Sequence, residues 1–107
     1  MTITVFAQFT FEALHHWPAA PDEVGFLRDP HRHLFHVRVE DVVGHHDRDR
    51  EFVLMGREAR GWCVEHAQDP GTLTWSCEKW ACYLVDRGGF SRVEVSEDGE
   101  NGAVVCE

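Results

Sequence analysis

Two histidines separated by a single residue, His31 and His33, open an alternating run that ends at Glu40. This run lies in a strand that is predicted from about His31 to Val43. Side chains of a β-strand alternate between its two faces and each residue rises about 3.3 Å, so the two imidazoles would share one face about 6.6 Å apart at Cα. The same face carries the apolar members of the run, Phe35, Val37 and Val39. The pattern predicts two metal-binding side chains at the end of a strand, on its buried side.

A third histidine lies in phase at the end of the N-terminal run. Apolar residues alternate with mostly polar ones from Ile3 to Ala13, and the next position on the apolar face is His15. Neighbouring strands usually pair, and an antiparallel pair would bring His15 against His31 and His33. Three imidazoles with an open fourth position are typical of a catalytic zinc site. The alternative for each histidine is a solvated surface position or a hydrogen-bonded core position. No Cys-x-x-Cys pattern indicates a structural zinc knuckle.

Two helices are expected between these strands and the C-terminal part of the chain. Helical spacing begins after Glu51, and Asp69-Pro70-Gly71 ends the first helix. Its predicted buried stripe is Phe52, Met55, Ala59, Trp62, Cys63 and His66. A second helix begins near Thr74 or Ser76, either of which could cap it, and Gly88-Gly89 ends it. Its predicted buried residues are Cys77, Trp80, Ala81, Leu84 and Val85.

The remaining segments predict loops and two short strands. Residues 17–30 contain prolines without periodicity and are expected to be irregular. His45 and His46 are adjacent, so their side chains would point apart, and we expect a solvated turn there. Residues 90–97 and 103–106 predict strands that are joined by a turn at 98–102. The order is strand, strand, helix, helix, strand, strand, which predicts an α+β fold.

The composition limits the classes of function. The 107 residues carry a formal net charge of -9 at pH 7, which argues against a nucleic-acid partner because phosphates require a basic surface. The N-terminal run has no basic flank or long apolar segment, so we expect no signal peptide, no membrane span and a cytoplasmic location. The four cysteines show no disulfide spacing and are expected to be reduced thiols. We expect one domain over residues 1–107.

Glu97 is a further candidate for the site. It follows Val93 and Val95 in phase and would therefore point to the apolar face, where an unpaired carboxylate is costly. The amino-pyrimidine edge of a pterin or purine would give it two charge-assisted hydrogen bonds. The alternative is that Glu97 begins the turn and contacts water.

These residues resemble the 6-pyruvoyltetrahydropterin synthase and 6-carboxytetrahydropterin synthase family over most of the chain. The stretch Phe11-Glu12-Ala13-Leu14-His15 is similar to the family's Phe-x-Ala-Ala-His, and His31-Arg32-His33 is similar to its His-Gly-His strand. Weaker similarities occur in the family's order at 51–55, Glu65-His66, 76–81 and Glu97.

The resemblance implies the tunnelling fold, an antiparallel four-stranded sheet with two helices packed on one face. It implies zinc on the three histidines, Glu97 on the pterin ring, and His66, oriented by Glu65, as general acid or base. The alternative for His66 is a cation at a helix C-terminus. The implied assembly is a homo-oligomer, a hexamer or another barrel, with sites between subunits, so that Glu97 could serve a neighbour's zinc.

The sequence departs from the family where its enzymes usually carry a catalytic cysteine, because Leu27 occupies that position. Cys63, Cys77 and Asp29 are candidate replacements, although both cysteines also fit the apolar stripes of helices. Two functions therefore stay open. The first is a 6-carboxytetrahydropterin synthase-like lyase that acts on 7,8-dihydroneopterin triphosphate or a related pterin, as in deazapurine biosynthesis. The second is a non-catalytic zinc protein that binds a pterin or purine.

Overall fold

The computed structural model describes all residues from Met1 to Glu107 and has an α+β architecture. A four-stranded sheet is built from two long strands near the N-terminus and a short C-terminal hairpin, with two α-helices between them in sequence. The strands are β1 (Ile3–His15), β2 (His31–Val43), β3 (Arg92–Glu97) and β4 (Asn101–Cys106). The helices are α1 (Phe52–His66) and α2 (Cys77–Gly88), and two 3-10 helices cover Asp22–Arg28 and Pro70–Thr74.

The sheet is antiparallel throughout, with the strand order β1-β2-β3-β4. In the longest pairing, Ile3 lies opposite Val43 and His15 lies opposite His31. This register confirms the predicted antiparallel pair, and it places the end of β1 beside the start of β2. The β2–β3 pairing ends where Phe35 lies opposite Glu97, so the β3–β4 turn reaches the same end of the sheet.

Both helices pack on one face of the sheet, α1 over β1 and α2 over β3 and β4. The apolar side chains of the strands alternate onto this face and meet the buried stripes of the helices in one hydrophobic cluster. Trp80 of α2 is 1% exposed, and its ring makes an edge contact with Phe11 of β1 at a centroid distance of 5.0 Å. The largest other members of the cluster are Phe35, Phe90, Leu84, Val39, Val93 and Val95.

The ends of the helices follow local rules that the sequence carries. Ser76 caps α2, because its hydroxyl accepts a hydrogen bond from the Lys79 N–H. Gly89 ends the helix in the left-handed conformation, with φ of 65°. Of the two residues that could have capped α2, Thr74 instead ends the preceding 3-10 helix.

Three local predictions were wrong. Residues 22–28 form a 3-10 helix, because Pro21 sets the backbone before it and Arg28 ties it to the Ala20 carbonyl at 2.8 Å. Phe52 is 53% exposed, since the buried stripe of α1 begins one turn later. Val85, which was predicted to be buried, is partly buried and packs against the core. Phe90 is buried but precedes β3, which begins at Arg92.

The other face of the sheet is open. It carries a network in which Glu40 accepts hydrogen bonds from Arg38 at 3.0 Å and from Arg92. It also exposes large apolar side chains, among them Phe6, Val42 and Val104. The edges of the sheet are β1 and β4. No helix has the length and the apolar sequence that a bilayer span requires.

Candidate metal centre

The three histidines predicted from the sequence lie together at one end of the sheet. His15 is the last residue of β1 and His31 is the first residue of β2, so the strand register sets them side by side. His33 lies on the same face as His31 because strand side chains repeat every second residue. One ring nitrogen from each histidine lies within 4.8 Å of the other two.

The spacing of these nitrogens fits a metal ion. His15 Nδ1 lies 3.4 Å from His31 Nε2, and two nitrogens bound to one tetrahedral metal ion are separated by about 3.3 Å at ordinary metal–nitrogen distances. His33 Nε2 is buried and has no hydrogen-bond partner, although buried polar atoms are normally satisfied. A cation among the three rings would satisfy it, so the cluster can hold a metal ion.

On two of the three rings, the nitrogen that faces away from the cluster lies beside a hydrogen-bond acceptor. His31 Nδ1 lies 2.8 Å from the carbonyl oxygen of Asp29, and His33 Nδ1 lies 2.8 Å from Oδ2 of Asp98. Both oxygens accept hydrogen bonds, so a neutral ring carries its proton on Nδ1 and leaves Nε2 with a free lone pair. The Nε2 atoms of His31 and His33, which face the other rings of the cluster, are therefore free to bind a metal ion.

His15 is 9% exposed, and its surroundings favour the neutral ring that metal binding requires. Burial lowers the pKa of His15. Glu97 acts in the opposite direction, and the nearby His31 and His33 lower the pKa further. A neutral His15 ring offers Nδ1 as a ligand atom when its one proton is on Nε2.

Glu97 lies against the same cluster. Its carboxylate oxygens are 3.5 Å from His33 Nε2 and 4.0 Å from His15 Nδ1. The partner that a carboxylate on the apolar face needs is thus the histidine group of its own chain. Within one chain Glu97 contacts His15 and His33, and a role toward a neighbouring subunit's metal stays a prediction.

A cleft of about 460 Å³ adjoins the cluster, and His15 and Glu97 form part of its wall. This volume is within the range of small-molecule sites, about 300–1,000 Å³. Leu27 also lines the cleft, and it brings no titratable group there. A depression of similar volume, 470 Å³, lies on the open face of the sheet, where no cluster of metal-binding atoms occurs.

The candidate replacements for a catalytic thiol have different surroundings. Cys77 lines the cleft, and burial, assisted by Glu97 and Glu78, raises its pKa to about 12. Cys63 is fully buried in the core, and burial raises its pKa to about 12 as well. Neither thiol supplies a thiolate near neutral pH in these surroundings. Asp29 is exposed, and its carbonyl rather than its carboxylate contacts His31.

His66 and Glu65 belong neither to the metal-binding group nor to the wall of the cleft. The ring of His66 is stacked on Tyr83 at a centroid distance of 4.6 Å, with Trp80 on another side at 6.1 Å. Glu65 is exposed and makes no hydrogen bond or ion pair with His66. The fold therefore brings His15, His31, His33 and Glu97 together, and the catalytic role of the Glu65-His66 pair stays a prediction.

Asp98 is the residue at this site that the sequence pattern did not indicate. Asp98-Gly99 is a typical turn sequence, and both residues have positive φ, 55° and 74°. Its carboxylate contacts His33, which is 65 positions away in the chain. The sequence indicates the position of Asp98 only indirectly. Glu97 is in phase with the apolar face, and this places the turn that follows it beside the end of the sheet that carries the histidines.

Comparison of the chain with protein-family models and with curated proteins finds no match. The resemblance to the 6-pyruvoyltetrahydropterin synthase family stays a prediction from the sequence motifs.

Proposed function

We propose that this chain is a zinc-dependent lyase of the 6-carboxytetrahydropterin synthase type, with the tunnelling fold, that acts on 7,8-dihydroneopterin triphosphate or a related pterin. The observation that carries the proposal is the convergence of three histidines and Glu97 at one cleft. The order of the family-like motifs along the chain supports it.

His15, His31 and His33 would hold the metal through the nitrogens that face one another. Three imidazoles suit several first-row metals, and zinc is proposed because such a donor set with an open position is typical of catalytic zinc. Bound zinc would act as a Lewis acid toward the oxygens of the substrate side chain.

Glu97 would bind the ring of the substrate. A carboxylate accepts two hydrogen bonds from adjacent N–H groups of an amino-pyrimidine edge, and Glu97 borders the cleft as well as the cluster. The distance from its oxygens to two ring nitrogens, 3.5 and 4.0 Å, leaves the carboxylate beside the metal-binding group rather than within it. A pterin held there would present its side chain toward the histidines.

His66 is the proposed proton carrier, with Glu65 as its orienting partner. The ring of His66 is packed against Tyr83 and Trp75 of its own chain. We therefore propose that His66 reaches the cleft of another subunit, in an assembly whose subunits share sites. The open edges of β1 and β4 and the exposed apolar residues of the open face support a homo-oligomer, a hexamer or another barrel.

A second function is favoured by one observation, the presence of Leu27 in the cleft wall. With Leu27 at that position and Cys77 protonated near neutral pH, the cleft lacks the thiolate that the family's reaction uses. The second candidate is therefore a non-catalytic zinc protein that binds a pterin or a purine.

The decisive experiment combines metal analysis with a turnover assay. The purified protein is analysed for zinc by mass spectrometry and incubated with 7,8-dihydroneopterin triphosphate, and His33→Ala is treated in parallel. Zinc-dependent product that is lost in His33→Ala supports the lyase. Zinc content and tight pterin binding without product favour the binding protein, and absence of both zinc and pterin binding contradicts both candidates.

A further inference from the structure

The β3–β4 turn is attached to β2 by both the backbone and the side chain of one residue. Asp98 N–H donates to the Leu34 carbonyl at 2.7 Å, and the Leu34 N–H donates to Asp98 Oδ1 at 3.1 Å. Regular pairing of β2 with β3 ends one residue earlier, at Phe35 and Glu97. The Asp98 carboxylate therefore continues the ladder in place of a backbone carbonyl.

The second oxygen of the same carboxylate contacts the metal-binding group. Oδ2 lies 2.8 Å from His33 Nδ1, while His33 Nε2 is buried, unpartnered and on the side of the other histidines. The backbone of Asp98 has φ of 55°, a conformation that is uncommon for a residue with a side chain but is tolerated by aspartate. This conformation belongs to the β3–β4 turn, in which Asp98 and Gly99 both have positive φ.

We propose that Asp98 is the positioning residue of the metal centre, holding the proton of His33 on Nδ1 so that Nε2 is free to bind the metal. The inference rests on the proposed metal-binding function of the histidine cluster. Asp98 does not touch the metal. It acts through His33, as carboxylates commonly do when they hydrogen-bond the outer nitrogen of a metal-binding histidine.

The requirement for a carboxylate follows from counting acceptors. Asp98 accepts one hydrogen bond from Leu34 N–H and one from His33 Nδ1–H. An asparagine amide has a single acceptor oxygen. The Leu34 N–H can only donate, whereas the His33 imidazole can carry its proton on either nitrogen. The amide oxygen is therefore expected to keep accepting the hydrogen bond from the Leu34 N–H. The amide NH₂ then faces His33 Nδ1, which has to accept, and the proton moves to Nε2.

The test compares the effects of two substitutions on zinc affinity. A merely structural role predicts the larger loss in Asp98→Gly, whereas a positioning role predicts the larger loss in Asp98→Asn. Asp98→Asn preserves the shape of the side chain and its hydrogen bond with the Leu34 N–H. It moves the preferred position of the His33 proton from Nδ1 to Nε2. Asp98→Gly removes the carboxylate and suits the positive φ. It leaves the His33 ring with only the weak attraction of Glu97 Oε2, which lies 3.5 Å from Nε2. We expect zinc affinity to fall about 10-fold in Asp98→Gly and about 100-fold or more in Asp98→Asn, from the usual range for an outer hydrogen-bond partner.

The first readout is the protonation of the His33 ring in the metal-free protein, measured by ¹⁵N NMR at pH 8. We expect the proton on Nδ1 in the wild type, on Nε2 in Asp98→Asn, and distributed between both nitrogens in Asp98→Gly. Competition with a chromophoric chelator then measures zinc affinity, with Asp47→Asn as a control for loss of an exposed loop carboxylate. Circular dichroism monitors folding, and Asp98→Gly alone decides the ring measurement if Asp98→Asn does not fold.

The possible results separate this inference from the proposed function. A wild-type His33 with its proton on Nε2, or a zinc affinity that is lower in Asp98→Gly than in Asp98→Asn, overturns the positioning role. A wild type with the Nδ1 proton and no zinc affinity overturns the metal-binding function, while the assignment of the ring proton to Asp98 stands.

Discussion

Binding of a metal ion to the three histidines is expected to stabilise the fold strongly. His15 and His31 belong to different strands and are 16 positions apart, so the unfolded chain does not hold the three rings together. A ligand that binds only the folded state at 100 times its dissociation constant adds about 2.7 kcal/mol to the free energy of unfolding. For 107 residues, the entropy of unfolding is about 0.22 kcal/mol/K, so the midpoint of thermal unfolding should rise by about 12 °C.

The assay is thermal unfolding, followed by circular dichroism, of the chelator-treated protein with and without zinc. His15→Ala and His33→Ala should lose the stabilisation, because each removes one of the three nitrogens that face the site. His45→Ala and His46→Ala are matched controls, since both histidines are exposed and lie outside the cluster. They should keep the full increase.

Two results would refute this reasoning. One is a wild-type midpoint that does not change at any zinc concentration up to the millimolar range. The other is an increase of equal size in the wild type, His15→Ala and His33→Ala, which would place the bound metal elsewhere. In either case the short distance between His15 Nδ1 and His31 Nε2, 3.4 Å, would instead indicate a hydrogen bond between two rings.

Three further predictions concern the cleft and the stability of the fold. Leu27→Cys should raise the rate of product formation about 10²–10⁴-fold, the usual contribution of a positioned base, as measured by mass spectrometry; an unchanged rate would contradict the cleft assignment. Ser76→Ala should lower the free energy of unfolding in urea by about 1 kcal/mol, because the helix loses its cap. An equal loss in the partly buried control Ser91→Ala is not expected, since that hydroxyl only supplements a backbone hydrogen bond. Burial opposes the ionisation of Glu40, but hydrogen bonds from two arginines outweigh it and lower its pKa. The stability from Glu40 is therefore present above the ordinary carboxyl pKa and lost as pH falls through the lowered one. Glu40→Gln should reduce stability by about 1 kcal/mol at pH 7 and by less in acid, and an equal difference at both pH values would contradict the assignment.

The long strands could be predicted from the sequence because their alternation extends over many residues. The bounds of β2, His31–Val43, agree with the prediction, and the buried positions of the two strands follow the predicted face. Period-two alternation is a direct consequence of strand geometry, so thirteen residues of it leave little room for another structure. The 3-10 helix at Asp22–Arg28 could not be predicted in this way, because so short an element has no periodicity to detect.

The exposure of Phe52 depends on where α1 lies over the sheet. Helical spacing alone places Phe52 on the same stripe as Met55, yet only Met55 is buried. The length of the helix that projects beyond the core is decided by how α1 packs on β1. A sequence pattern describes one element and does not contain that contact.

The sequence by itself determined which side chains share a face, and therefore that His15, His31 and His33 could meet at paired strand ends. That result needs only the period of a strand and an antiparallel neighbour. Tertiary structure decided the rest: the 3.4 Å approach of two rings, the position of Glu97 at its own chain's cluster, and the contact of Asp98 with His33. The last two depend on the docking of the C-terminal hairpin against β2, which brings Asp98 to His33, 65 positions away. Local residue preferences carry no information on such distant contacts.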